Sequence, residues 1–158
     1  AVGEGDPRIM DLFLNMSKVF PEQVAAKFKY DPKLPKLIYA GADVVLIPSR
    51  FEPSGLTQME AMNFGCIPIV RKTGGLADTV EDYDPASNRG TGFVFESIDS
   101  LSLMTAIVRA YQSFRHKKSW RRLQERAIKK DFSWTNSAKQ YVKLFAAAIK
   151  FHRERGDN

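Results

Sequence analysis

The hydrophobic pattern changes period three times within residues 41–80. Residues 43–47 (DVVLI) are one carboxylate followed by an unbroken, mostly β-branched apolar run, the pattern of a strand covered on both faces of a parallel sheet. Pro48, Pro53 and Gly55 then force an irregular loop at the carboxyl end of that strand. From Leu56 onward the apolar positions Leu56, Met59, Ala61, Met62 and Phe64 recur at spacings near three and four, which predicts a helix that Gly65 stops. Ile67, Ile69 and Val70 predict a second short strand. Thr73, Gly74 and Gly75 predict a second flexible loop, ahead of another turn of helix over 76–80.

The remaining pattern extends this alternation. Asp6 caps and Pro7 starts a helix with an apolar face of Ile9, Met10, Phe13, Leu14 and Met16, ending near Phe20. Residues 23–30 alternate through Val24, Ala26, Phe28 and Tyr30 as a strand does, and a short helix covers 34–40. Phe93, Val94 and Phe95 mark a further strand. Asp99 or Ser100 caps a helix expected to bury Leu101, Leu103, Met104, Ile107, Val108 and Tyr111. Two more helices are predicted, one over 120–130 with Leu123, Ala127 and Ile128. The other is long, from Ser133 or Thr135 through Tyr141, Leu144, Phe145, Ala148 and Ile149 into a polar, frayed tail. Strands alternating with helices give the fold class α/β, with a parallel sheet and flanking helices. The opening VGEGDP has the character of a turn after the first strand of a nucleotide-binding βα unit, so one or more first strands are expected to be missing and a sheet edge to be left open.

Ligands of open α/β sheets sit outside the carboxyl ends of the strands, which brings the two loops into one candidate site. Gly55, Leu56 and Thr57 offer backbone N–H groups at a helix N-terminus, where the dipole favours phosphate, and Arg50 adds charge. Glu52 falls in the loop and Glu60 just over one turn inside the helix, two carboxylates able to accept from sugar or ribose hydroxyls. Each residue also has a plainer reading. Glu52 can pair with Arg50, Glu60 can be a solvated helix position, and Gly74-Gly75 can be a tight turn. Tyr30, ending a strand at the same edge, either stacks on a base or covers the core rim.

Composition narrows the class. A chain of 158 residues, 44% hydrophobic and 27% charged, supports one substantial core. No apolar run approaches the roughly 20 residues of a membrane span. Cys66, the one cysteine, reads as a small buried hydrophobe compatible with a reducing compartment. The net charge of +6 is concentrated in residues 109–130, where nine basic residues meet Glu125 alone. A solvated, polysaccharide-facing or interdomain surface is favoured there over a nucleic-acid surface, since no nucleic-acid motif accompanies it. The D-x-D string at Asp82 and Asp84 reads as a solvated turn rather than a metal site, and no Cys/His cluster is present.

The run PSRFEPSGLTQMEAMNFGCIPIVRKTGGLADTV, with VGEGDP before it and GTGFVFE and DFSW after it, resembles the signature segment of the glycogen and starch synthases, retaining glucosyltransferases of the GT-B fold. Glu52 and Glu60 fit the E-x7-E pattern of many such enzymes, and the resemblance covers nearly the whole chain. It implies a partial Rossmann-like donor-nucleotide domain over 1–131 and a C-terminal helix over 132–158 that packs back toward an N-terminal domain. It implies transfer of glucose from ADP-glucose or UDP-glucose to the non-reducing end of an α-1,4-glucan with retention, using no metal or cofactor. Glu52 then inherits the contact with the donor hexose near the reacting centre, and Glu60 the ribose hydroxyls. Ser54, Gly55, Leu56 and Thr57 hold hexose and phosphate, Thr73, Gly74 and Gly75 line the second loop, and Tyr30 stacks on adenine. The location implied is the cytoplasm, or the plastid in a plant.

The family's N-terminal domain, its lysine-glycine-glycine segment, and the arginine and lysine that neutralise the diphosphate lie outside the matched sequence. The chain alone is therefore expected to be catalytically silent, because developing phosphate charge needs preorganised cations and a closed cleft. A nucleotide- or glucan-binding module, and a basic nucleic-acid-binding domain, are the alternatives. Salt dependence separates the last from the others.

Overall fold

A computed structural model describes residues 1–3, 5–29 and 31–156, with side chains described to Arg153. Ten elements follow in order: α1 (Pro7–Val19), α2 (Leu34–Gly41), β1 (Val44–Ile47), α3 (Thr57–Asn63), β2 (Ile67–Arg71), α4 (Gly74–Thr79), β3 (Phe93–Phe95), α5 (Ser100–Arg115), α6 (Lys117–Ile128) and α7 (Trp134–Gly156). The strands form one parallel sheet in the order β1-β2-β3. Val44 to Ile47 lie opposite Ile67 to Val70, and Ile69 to Arg71 opposite Phe93 to Phe95. β2 is central, and Ile67 to Val70 are all buried, which is why that stretch carries no polar residue.

Helix ends follow local chemistry. Asp6 caps α1 by accepting from the Arg8 amide at 2.9 Å, and Asp99 caps α5 by accepting from the Ser102 amide at 2.8 Å. Gly65 ends α3 at φ +75°, and its amide donates to Met62 O at 2.9 Å.

The core forms where α3 covers β1 and β2, α5 covers β2 and β3, and α6 meets α3, α5 and β2. Its centre is aromatic. Phe93 stacks on Trp120 at 6.3 Å, and Tyr83 and Phe114 present edges to Phe93 and Trp120 at 5.7 and 5.3 Å. Leu123 and Ala127 of α6 are fully buried, whereas Ile128 beside them is exposed.

Two expectations fail. Residues 23–29 do not form a strand, and Tyr30, the last residue of the predicted one, lies outside the described residues. Among the described residues the stretch meets only the chain's first residues, through one parallel bridge from Val2 to Lys27 and the Ala1 ammonium donating to Ala25 O at 2.6 Å, because an alternating pattern makes a strand only when a ladder neighbour lies alongside. The inner stripe of α5 is rotated from the one expected. Ala106 and Ala110 are buried, with Leu103, Ile107 and Phe114 beside them, while Leu101, Met104, Val108 and Tyr111 are exposed. Small side chains let the helix lie close on the sheet, while the larger residues of the predicted stripe, Met104 and Tyr111, face outward. Helix α1 forms where expected, with Asp6 as its cap, but no residue of it is buried, and Ile9, Leu14 and Met16 of its apolar face are exposed.

The outer edge of β1 has no strand beside it among the described residues. Helix α7 exposes Tyr141, Leu144, Phe145 and Ile149, an apolar set with no cover among the described residues.

Candidate functional site

The loop after β1 and the segment after β2 meet at the carboxyl edge of the sheet. Gly74 and Gly75 are not a flexible loop. They form the first turn of α4 with Thr73 as N-cap, and that turn lies directly on the β1 loop. The Gly75 amide donates to Glu52 O at 3.1 Å. A Cβ on Gly74 would stand 1.9 Å from Glu52 O. Gly74 also holds φ +43°, in the left-handed region that favours glycine. The paired glycines are thus required by a backbone contact between the two loops.

Glu52 is half-buried, and its carboxylate accepts from Ser49 Oγ at 3.4 Å. It forms no salt bridge among the described residues, so the plain reading of a Glu52–Arg50 pair does not hold. Glu60 is exposed in the first turn of α3, where its amide donates to Leu56 O at 2.9 Å. The amides of Gly55, Leu56 and Thr57 have no acceptor among the described residues, as at any helix N-terminus; Leu56 is exposed, Thr57 half-buried and Gly55 buried. Ser54 is exposed and Thr57 half-buried beside Tyr39, whose phenol is pushed above its ordinary range by burial. The structure therefore brings Glu52, Ser54, Gly55, Thr73, Gly74 and Gly75 together, with Leu56, Thr57 and Glu60 on the adjoining turn. Tyr30 lies outside the described residues.

Two residues behind the site escaped the sequence reading. Gln58 is completely buried, and its Nε2 donates to Gly55 O at 2.7 Å and to Thr79 Oγ1 at 2.9 Å. Thr79 Oγ1 in turn donates to Gly75 O at 2.5 Å, so one polar chain ties both loops from beneath. Arg71, the last residue of β2, donates from Nε to Ser49 O at 2.8 Å and from Nη2 to Arg50 O at 2.5 Å. The only sequence signals were a polar residue on the apolar side of a helix and a cation ending a buried strand.

The D-x-D string is spent on the fold, not merely solvated. Asp82 accepts from the Val94 amide at 2.8 Å and from Arg109 Nη2 at 2.9 Å, and Asp84 caps its own turn through the Ala86 amide at 2.9 Å. Among the described residues, no three His, Cys, Asp or Glu side chains converge on a metal position. The basic stretch is partly consumed as well. Besides Arg109, Arg126 donates to Gly90 O at 3.0 Å, Lys130 pairs with Glu81, and Lys117 Nζ lies 3.2 Å over the Phe114 ring. A depression of about 370 Å³ at the outer edge of β3, between Val94, Glu96, Ser102 and Arg109, includes no residue of the two-loop site in its lining. Among the described residues no helix is long and apolar enough to cross a membrane.

A parallel α/β sheet with flanking helices and two loops that meet at the carboxyl ends of its strands is Rossmann-like. The chain belongs to the family of Glycosyl transferases group 1, whose model matches residues 20–130. It is 47% identical over 148 residues to glycogen synthase 1 of Synechocystis sp., covering 94% of this chain and 31% of that protein. It is likewise 47% identical over 149 residues to the glycogen synthase of Thermotoga maritima, covering 94% of this chain and 31% of that protein. Among solved structures, the catalytic domain of starch synthase IV from Arabidopsis thaliana, bound to ADP and acarbose, superposes with a TM-score of 0.80 at 39% identity. That match covers 94% of this chain and 32% of the other. The chain thus spans about a third of the length of the relatives it matches.

Proposed function

We propose that this chain is the donor-nucleotide half of a glycogen or starch synthase. In the complete enzyme, glucose passes from ADP-glucose to the non-reducing end of an α-1,4-glucan with retention of configuration. The observation that carries the reading is the interlocked pair of strand-end loops, which holds the Glu52 carboxylate, without a salt bridge among the described residues, beside the first turn of α3, where the amides of Gly55, Leu56 and Thr57 have no acceptor among those residues. In this reading Glu52 contacts the donor hexose at the reacting centre, and Glu60 accepts from ribose hydroxyls. Ser54 and the α3 amides hold hexose and phosphate, Thr73, Gly74 and Gly75 form the opposite lip, and Tyr30 stacks on the base. ADP in the starch synthase IV structure supports the choice of ADP-glucose over UDP-glucose.

The uncovered apolar set of α7 supports a docking of that helix against the N-terminal domain. With one wall of the cleft, the chain alone binds donor weakly and transfers nothing. The cytoplasm is the proposed location, or the plastid in a plant.

Calorimetric titration of the 158-residue chain with ADP-glucose, UDP-glucose, ADP and maltooligosaccharides tests this, repeated with Glu60→Ala and Tyr30→Ala. Adenine-selective binding weakened in both variants is the expected result. Equal binding of both nucleotide sugars, or binding indifferent to Glu60, overturns the donor-site assignment.

A further inference from the structure

We propose that Arg71 is the positioning residue for Glu52, acting through the loop backbone and not on the substrate. The inference rests on the reading of Glu52 given above. Arg71 leaves the end of β2 and its guanidinium reaches the loop of the neighbouring strand, donating to Ser49 O at 2.8 Å and Arg50 O at 2.5 Å. On the other side, the Glu52 carbonyl accepts from the Gly75 amide at 3.1 Å. Three carbonyls within a four-residue stretch are thereby fixed from the β2–α4 side, and Glu52 sits at the end of that stretch.

The loop has few other means of being held. Pro48 and Pro53 bracket it and supply no N–H, so it cannot continue a ladder on either side. Hydrogen bonds from a cation to carbonyl oxygen are charge-assisted and stronger than those between neutral groups. Two nitrogens of one rigid guanidinium reach two successive carbonyls, a geometry that a lysine ammonium does not reproduce.

Arg71 pairs with no carboxylate among the described residues. Its charge is directed at the backbone and not at Glu52, whose carboxylate, among the described residues, accepts only from Ser49 Oγ at 3.4 Å. The sheet does not depend on this side chain, since β2 is already paired on both sides by backbone bonds. Arg71 therefore sets where Glu52 stands more than whether the domain folds.

Arg71→Lys, Arg71→Ala and Glu52→Gln in the complete synthase carrying this chain provide the test, with glucosyl transfer from ADP-glucose to maltoheptaose as the assay. A small misplacement of a reacting group costs on the order of 100-fold in rate, so both Arg71 variants are expected to lose about that factor in kcat. KM for ADP-glucose is expected to change by less than about threefold, because uniform donor binding is untouched. Added guanidinium ion is expected to restore part of the activity of Arg71→Ala and none of Glu52→Gln. In the 158-residue chain, Arg71→Lys is expected to speed hydrogen exchange of the loop amides after β1 and to leave the core strands unchanged.

A kcat within about threefold of the parent in Arg71→Lys, or a loss confined to KM, overturns the proposal. Unchanged loop exchange does the same, and this measurement decides the matter if Arg71→Ala does not fold. Full activity in Glu52→Gln is a different failure, since it removes the underlying reading of the site.

Discussion

A Cβ on Gly75 would stand 1.7 Å from the carbonyl oxygen of Ser54. No L side chain fits there, although the backbone angles of Gly75 lie outside the left-handed region. The constraint is space, and its source is the β1 loop lying flat on the first turn of α4. Gly75→Ala is expected to push the loops apart and to destabilise the chain by about 1–3 kcal/mol, the usual cost of overpacking. Gly41→Ala is the control. Its Cβ would meet nothing within 4 Å, so stability should stay level or rise by up to about 1 kcal/mol. Urea unfolding of both variants measures the difference, and equal midpoints would mean that the loops are not locked.

Gln58 makes a sharper prediction because its two polar atoms differ. Nε2 serves Gly55 O and Thr79 Oγ1, whereas Oε1 is buried with no partner. Gln58→Leu leaves the Gly55 carbonyl without its donor and should cost about 1–3 kcal/mol. Gln58→Glu should cost more at about pH 7, since it removes the donor and also places a carboxylate where no solvent reaches. Burial raises the folded pKa of the introduced carboxyl above its unfolded value. Its destabilisation is then smallest below the unfolded pKa and grows as pH rises through the folded one. Urea midpoints at about pH 4 and about pH 7 give the test. If the Gln58→Glu protein were equally stable at both, the buried placement of this side chain would be contradicted.

Much of the sheet was legible because its signals are local. Residues 43–47 and 67–70 are apolar almost without interruption, and Pro48 and Gly65 punctuate them, so strand, loop and helix followed from neighbours in sequence. The stretch of residues 23–30 misled because alternation records what a strand would bury, not whether a neighbour is present. Helix α5 misled differently: Ala106 and Ala110 are its closest approach to the sheet, and hydrophobic size drew attention to Met104 and Tyr111 instead. At the site, Glu52 and the glycines were visible as a pattern. Arg71 and the Thr79 half of the Gln58 network were not, because those partners lie 21 or 22 residues away in sequence and only the parallel crossover brings them close.

Cys66 is fully buried, and burial with Asp43 nearby pushes its thiol up to about 11 from 9.0. The thiolate is the reactive form, so native protein at about pH 8 should resist Ellman's reagent and react only as it unfolds. Because the folded pKa lies above the unfolded one, this group's contribution is fully present below pH 9.0 and is lost as pH rises toward about 11. Cys66→Ala should therefore flatten the decline of thermal midpoint between those pH values. Rapid labelling of folded protein at about pH 8 would show that the thiol is not enclosed.

Asp82 closes the exposed edge of β3. Its carboxylate accepts from the outward Val94 amide at 2.8 Å while Arg109 Nη2 holds both oxygens at 3.0 and 2.9 Å. An edge strand with a free N–H pairs readily with another chain, and an inward-held charge is one way to prevent this. Asp82→Asn keeps an acceptor for Val94 and loses only the ionic part, which a half-exposed pair limits to about 1 kcal/mol or less. Asp82→Ala loses the acceptor as well. The two variants should separate in sedimentation velocity as concentration rises, with Asp82→Ala self-associating and Asp82→Asn remaining as the parent does. Raising the salt should narrow the stability gap between parent and Asp82→Asn without abolishing the self-association of Asp82→Ala, because backbone pairing at the edge does not depend on charge. Identical sedimentation of all three proteins would assign Asp82 to the ion pair alone.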